Sequence, residues 1–400
     1  MRRVVITGLG LVSAMGITLE TFWTNLLKGE IHIHHGTQFD SHRYRSDICA
    51  VMKYDQIWPQ LNVSEEEMEQ LNDCGLVGLA AARQAIVTAG LEGRPDLKQA
   101  GFSMATTSGG EIPQYAKWHH YGRERKKDLI DHCHIYMPAV HIAEKLDLHG
   151  PVCTFSSACT SGTVSLAYAY ETIKYSQTDI MLAGGSDVLE EIPFAGFNSL
   201  RIVSQKDCRP FDAKRSGIII ADGAAFLVLE EMHSALRRGA LILAEIKGVG
   251  LSCDAHHATQ PMFEGATRAM QAALTEANIE TSDIQYINCH GTGTVVNDRA
   301  EAKAMAAVFD QDLTDIYASS TKSALGHLLG TAGSIEALIT TLAIDKGQIP
   351  PMTNLDEPDP LVRFRVARDV AVDLDIQHAM SNSFGFGGNN ISMVFARPQV

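Results

Sequence analysis

Cys159 lies among very small neighbours in Ser156-Ser157-Ala158-Cys159-Thr160-Ser161-Gly162. Far downstream stand His290, which opens His290-Gly291-Thr292-Gly293-Thr294, and His327, which closes Lys322-Ser323-Ala324-Leu325-Gly326-His327. A nucleophile, two imidazoles and a lysine are the parts of thiol acyl chemistry, in which a covalent thioester splits one difficult step into two. Val164, Ala167, Tyr168 and Ile173 are apolar at helical spacing after the cysteine, so the spacing predicts a helix that starts at the thiol. The positive end of that helix would lower the thiol pKa and favour thiolate. Taken alone, a free cysteine is commonly an inert buried side chain. The two histidine motifs tip the reading toward chemistry.

The other candidates cluster around these motifs. His290 follows an apolar strand pattern, and strand ends that enter tight turns are where α/β folds expose functional side chains. Thr292 and Thr294 can hydrogen-bond a ligand or the turn itself. Lys322 is either a surface residue or a buried charge that needs a partner. Asp298 and Glu301, three apart after the His290 turn, are the candidate partners; as a plain helix face they would only be solvated. In Asn382-Ser383-Phe384-Gly385-Phe386-Gly387-Gly388-Asn389-Asn390, glycines permit close approach of backbone N–H groups to a ligand, as an oxyanion hole requires. Phe384 and Phe386 on that glycine hinge suit a hydrophobic door. The plainer alternative is a Gly-rich hairpin with core aromatics.

Helical and strand patterns alternate along the chain, which points to an α/β layered fold. A weak internal echo organises them. In the first half, a helix over 79–89 ends at Gly90-Leu91, a strand covers 101–106, and a Gly turn follows at Ser108-Gly109-Gly110. In the second, a helix over 266–277 ends at Asn278-Ile279, a strand covers 284–288, and the His290 turn follows. Gly and Asn tolerate the left-handed conformation of a helix C-terminus. Ser156-Ser157 then precedes the Cys159 helix, as Ser319-Ser320 precedes Lys322 and a helix over about 334–345. Duplication explains two ordered correspondences better than chance, and it places the site between pseudo-symmetric halves.

The 400-residue chain is 45% hydrophobic and 20% charged, an ordinary globular composition. A formal net charge of −14 argues against a nucleic-acid or anionic-membrane binder. No apolar run reaches transmembrane length. Arg2-Arg3 before an apolar stretch imitates a signal peptide, but Gly8 and Gly10 break the stretch, and it reads as a buried strand. The eight cysteines form no Cys-x-x-Cys pair and read as reduced thiols of a cytoplasmic protein. Asp131-His132-Cys133-His134 could suggest a metal site, but no second cluster has zinc spacing, so no metal is expected.

Together, and in this order, the four motifs resemble the β-ketoacyl-acyl-carrier-protein synthases, condensing enzymes of the thiolase superfamily. The elongating type I/II branch, with its Cys-His-His triad, is the nearest. The resemblance runs from Val4-Val5-Ile6-Thr7-Gly8 to the last strand and includes Arg209-Pro210-Phe211-Asp212 and Gly223-Ala224-Ala225. It implies a thiolase-like five-layered αβαβα fold from two duplicated halves, 1–240 with the nucleophile and 241–400 with both histidines, usually as a dimer. By resemblance, Cys159 accepts an acyl chain from an acyl carrier protein. His290 and His327 assist malonyl decarboxylation and stabilise the enolate. The N–H groups of Cys159 and Phe386 form the oxyanion hole, Phe386 gates the pocket, and Glu301 holds Lys322. Thr292, Thr294, Phe384 and His257 are implied as substrate contacts, with Asp298 and Glu301 as structural support. No redox cofactor is implied, since no hydride moves.

Departures from the family pattern point to specialisation. Thr294-Val295-Val296-Asn297-Asp298 lacks the Pro and Gly-Asp of housekeeping synthases and is more like type II polyketide and other specialised enzymes. Ser216-Gly217-Ile218-Ile219-Ile220-Ala221-Asp222-Gly223 and Asn389 are further departures. The stretch near 65, basic in many relatives and used for carrier docking, is Glu65-Glu66-Glu67-Met68-Glu69 here. Arg123, Arg125, Lys126 and Lys127, with Arg201, are the alternative dock. A degradative thiolase is disfavoured because the C-terminal Gly-rich loop carries no second cysteine. A non-catalytic chain-length partner is disfavoured because all three catalytic types are present. The chain remains readable as a homodimer or as the catalytic half of a heterodimer.

Overall fold

A computed structural model of the chain describes residues 2–36, 39–110 and 134–399. The first half runs β1 (Val4–Ser13), α1 (Asp73–Thr88), β2 (Gly101–Ala105), α2 (Met137–Lys145), β3 (Val152–Phe155), α3 (Ser161–Lys174), β4 (Ile180–Asp187) and β5 (Gly223–Glu231). The second half runs β6 (Ala244–Cys253), α4 (Phe263–Ala277), β7 (Tyr286–Asn288), α5 (Val295–Phe309), β8 (Tyr317–Ser319), α6 (Ala332–Lys346), β9 (His378–Gly385) and β10 (Asn389–Ala396).

The strand order is β3-β2-β4-β5-β1 and then β6-β10-β9-β7-β8, a mirror sequence. In each half the first three strands from the outer edge are mutually parallel. The next two pairings are antiparallel in both halves. The halves meet where β1 pairs with β6, Val4 opposite Ile246. The sequence echo is therefore a repeated topology.

Helices α1 and α2 cover one outer face, α4 and α5 the other, and α3 packs on α6 between the two half-sheets. This is the αβαβα layering of the thiolase fold. It explains why α6 is buried from Ala332 through Ile344: a helix that is mostly apolar around its circumference belongs in a core. Gly8 and Gly10, which interrupt the N-terminal apolar run, face α1 so closely that a Cβ would lie 2.3 Å from the Ala85 carbonyl and 2.0 Å from that of Ala81. Gly248 and Gly250 do the same to Ala273 and Ala269 of α4, a second trace of duplication.

The expected helices start earlier than their apolar periodicity shows. Asn72 caps α1, accepting from the Gly75 N–H, and adds a polar first turn that periodicity misses. Asn278 takes the left-handed C-terminal position of α4 (φ +53°). Among the described residues, no helix is long and apolar enough to cross a membrane.

Candidate active site

Cys159 sits on a tight elbow between β3 and α3. Ala158 before it has φ +54°, a conformation that L-residues seldom adopt. Local bonds secure the elbow: Ser157 N–H donates to Ser161 Oγ (2.7 Å) and Ser161 Oγ–H to the Ala158 carbonyl (2.6 Å). The helix begins two residues later, at Ser161. The expected low thiol pKa is corrected by the structure. Burial pushes the Cys159 thiol up, to about 11, against the opposing pull of the Lys322 ammonium and of the Phe386 and Cys159 backbone N–H groups. At neutral pH the resting group is the thiol, because desolvation outweighs these favourable contacts.

His290 follows β7. Its N–H and that of Gly291 donate to the two oxygens of Glu301 (2.8 and 2.7 Å), so a carboxylate on α5 fixes the turn. His327 lies between the short helix Lys322–Leu325 and α6. Its backbone is tied to the first half, N–H to the Ile219 carbonyl (2.7 Å) and carbonyl to the Ala221 N–H (2.9 Å). The His327 Nδ1 accepts from the Leu329 N–H (3.0 Å), which leaves the proton on Nε2. The ligand atoms of Cys159, His290 and His327 all lie within 4.8 Å of one another, and the two imidazoles cross edge to face at 5.5 Å.

Behind His290 stands Lys322, 1% exposed at its side chain. Its Nζ donates to the His290 carbonyl (2.6 Å) and lies 3.5 Å from His290 Nδ1. That geometry makes Nδ1 the acceptor and leaves Nε2–H on His290 as well. The expected Glu301 partner is a second correction: Lys322 pairs with Glu336, on the buried helix α6. Glu301 is occupied with the backbone of the His290 turn. Glu336 is the lone ionisable residue between Ala332 and Ile344, a signal that could have identified it, since a single charge in an apolar helix needs a partner.

Burial, reinforced by the Lys322 charge, drives the pKa of both histidines well below 6.5, and His327 lowers His290 further. Both are neutral donors at pH 7. Burial raises Glu301 and Glu336 to about 7. A thiolate and two imidazoles are also a metal donor set, but the Lys322 ammonium beside His290 and the engaged Nδ1 of His327 oppose a second cation there.

Cys159, His290, His327, Thr292, Thr294, Phe384, Phe386 and His257 line one cavity of about 270 Å³. Phe384 stacks edge-on to His290 at 6.1 Å. Phe386 faces Phe197, also 6.1 Å away, and Gly387 after it has φ +85°. The loop is lashed to the segment carrying His257, with Gly387 N–H donating to the Ala258 carbonyl and Asp254 N–H to the Gly388 carbonyl (each 2.8 Å). Thr292 and Thr294 share a hydroxyl–hydroxyl bond of 2.9 Å, and Thr294 also caps α5. Asp298 accepts from the Phe211 and Gly293 N–H groups (2.8 and 3.2 Å) and so braces the same turn.

Arg201 is exposed and flanked by Leu200 and Ile202, which line the cavity. Arg123, Arg125, Lys126 and Lys127, with Asp131-His132-Cys133, lie outside the described residues. In the acidic helix Glu65–Gln70, Glu67 pairs with Arg83 and Glu66 with Lys145.

Residues 1–235 match the family model "Beta-ketoacyl synthase, N-terminal domain", and residues 243–356 the corresponding C-terminal domain. The chain is 35% identical to 3-oxoacyl-[acyl-carrier-protein] synthase 2 of Staphylococcus aureus (strain COL), over 99% of this chain and 98% of that one. Its structure resembles the ishigamide ketosynthase/chain length factor (TM-score 0.92, 33% identity, all of both chains). It resembles equally a beta-ketoacyl synthase from Burkholderia phymatum STM815 (TM-score 0.93, 33% identity, all of both chains).

Proposed function

The chain belongs to the beta-ketoacyl synthase family, and on that premise we propose that it condenses malonyl-carrier with a Cys159-bound acyl chain to give 3-oxoacyl-carrier. The observation that carries the proposal is the convergence of Cys159, His290 and His327 in one cavity, with Lys322 behind His290.

Acyl transfer comes first. The Cys159 sulfur attacks the thioester carbonyl of acyl-carrier, and the proton lost by the thiol ends on the departing carrier sulfur. The N–H groups of Cys159 and Phe386 face the sulfur and serve the developing oxyanion. Malonyl-carrier then enters, and Thr292, Thr294 and His257 contact its arm, while Phe384 and Phe386 close the apolar side. The bond to the malonyl carboxylate breaks, CO₂ leaves, and the electron pair becomes an enolate. Two neutral imidazoles, both with Nε2–H available, hydrogen-bond the enolate oxygen. The carbanion attacks the Cys159 thioester, and collapse of the tetrahedral intermediate expels the Cys159 thiolate. Neutral histidines suit this task, because a donor that does not surrender its proton stabilises the enolate without quenching it.

Carrier docking falls to the rim beside Leu200. Arg201 lies next to Arg45, whose guanidinium donates to the carbonyls of Arg201 (3.4 Å) and Val203 (2.9 Å), and Lys206, five residues on, is exposed. Arg123, Arg125, Lys126 and Lys127 add positive charge for the carrier by the sequence reading alone. A cytoplasmic location follows from the reduced, scattered cysteines. The pairing with a related subunit is a second reading, favoured by likeness to a ketosynthase/chain length factor.

The test is mass spectrometry of the purified protein with acyl-carrier and malonyl-carrier. A 3-oxoacyl-carrier two carbons longer, with one CO₂ per condensation, is expected. Acyl transfer without CO₂ release, or cleavage of 3-oxoacyl thioesters as the dominant reaction, would refute the proposal. If turnover requires an added homologous subunit, the heterodimer reading holds.

A further inference from the structure

Thr292 and Thr294 project from a glycine turn without regular secondary structure, and such a turn keeps one shape only if its backbone groups are tied. Asp298 ties one side, through the Gly293 N–H. The other side meets Arg215, which is remote in sequence and 2% exposed at its side chain. Its Nε donates to the Thr294 carbonyl and one Nη to that of Val295, both at 3.2 Å. The other Nη donates to the Asp212 carbonyl (2.7 Å) and to Asp359 Oδ2 (2.9 Å). Asp298 Oδ2 lies 3.7 Å from Nε, so two carboxylates balance the buried charge.

We infer that Arg215 is a positioning residue for substrate binding: it pulls the carbonyls of Thr294 and Val295 away from the cavity and so presents the hydroxyls of Thr292 and Thr294 to it. This rests on the reading of those threonines as contacts of the carrier arm. Only a guanidinium fits the role. Its planar fork spans four acceptors at fixed angles, whereas a lysine ammonium is a single point on a flexible stem. Arg215 lines no part of the Cys159 cavity. Its loss therefore loosens arm binding, which is common to ground and transition states, and leaves the chemistry of the triad in place.

The experiment compares Arg215→Lys with Thr292→Ala and Thr294→Ala in the full-length enzyme. The readouts are KM for malonyl-carrier, kcat, and the rate of Cys159 alkylation by iodoacetamide. Arg215→Lys is expected to raise KM about tenfold or more, with kcat and alkylation within about threefold of the parent. Combined with Thr292→Ala, it should raise KM by less than the product of the single effects, because both act through one contact. If the threonine variants raise KM and Arg215→Lys does not, the inference about Arg215 falls alone. If the threonine variants leave KM unchanged, the arm reading falls and this inference with it. Multiplicative effects on KM, or parallel losses of kcat and alkylation, mean a general structural role and overturn it. Should Arg215→Lys not fold, Asp359→Asn, which removes one counter-charge but keeps an accepting oxygen, substitutes for it. An unchanged KM in that variant also overturns the inference.

Discussion

Glu336→Gln isolates the buried charge that supports the site. Lys322 and Glu336 are 1% and 2% exposed at their side chains, so neither can turn to water. The amide is nearly isosteric and leaves no cavity, and the change is electrostatic. Removing one partner of a buried pair costs about 3–5 kcal/mol. For a chain of this length, unfolding entropy per residue converts 3–5 kcal/mol into a Tm decrease of about 4–6 °C. Function should suffer more than stability. An unpaired Lys322 shifts to seek a new partner, and its bond to the His290 carbonyl (2.6 Å) changes. The assays are differential scanning calorimetry and CO₂ release from malonyl-carrier, with acylation of Cys159 as a control. A Tm within about 1 °C of the parent, well below the expected shift, together with full CO₂ release would refute the argument. The same substitution at Glu301 separates the two acids: Glu301→Gln sets an amide NH₂ against a backbone donor of the His290 turn and should distort that turn without unpairing Lys322.

Because burial and Lys322 hold both histidines well below 6.5, CO₂ release should be independent of histidine charge from about pH 6.5 to 8; an acid limb centred near 6.5 would show ordinary imidazoles. By linkage, the stability they contribute is fully present above the unfolded-state pKa of about 6.5 and is lost as pH falls toward their lower folded values. Burial of the Cys159 thiol to about 11 predicts that iodoacetamide alkylation rises about tenfold per pH unit between 8 and 10, and a plateau already reached below pH 8 would contradict it. His290→Ala and His327→Ala should still accept acyl groups at Cys159 but lose about 100–1,000-fold in CO₂ release; normal release by both would sink the assigned roles. Charge reversal at Arg201 and Lys206 should raise KM for carrier-bound substrates and flatten its salt dependence while sparing small thioesters, and equal losses with both substrate types would make the rim structural.

The chemistry-bearing residues were legible because their neighbours announce them. Gly and Ser around Cys159, the Gly/Thr turn at His290 and the glycines at Phe386 are local requirements, written where the chain must turn tightly or approach a ligand. The duplication was legible for a similar reason, since Asn278 and the paired serines occupy equivalent local positions in a repeated topology. Partnerships were not legible. Asp298, Glu301 and Glu336 are all acids downstream of a histidine motif, and only the position of α6 beside Lys322 decides between them, because ion pairing depends on distance in space. The thiol shows the same division. Sequence supplied a helix start and its dipole, but burial, which only the layered fold sets, outweighs it. Arg215 is the extreme case: an ordinary arginine between a lysine and a serine, it gains its role from four acceptors that three separate segments bring to one buried fork.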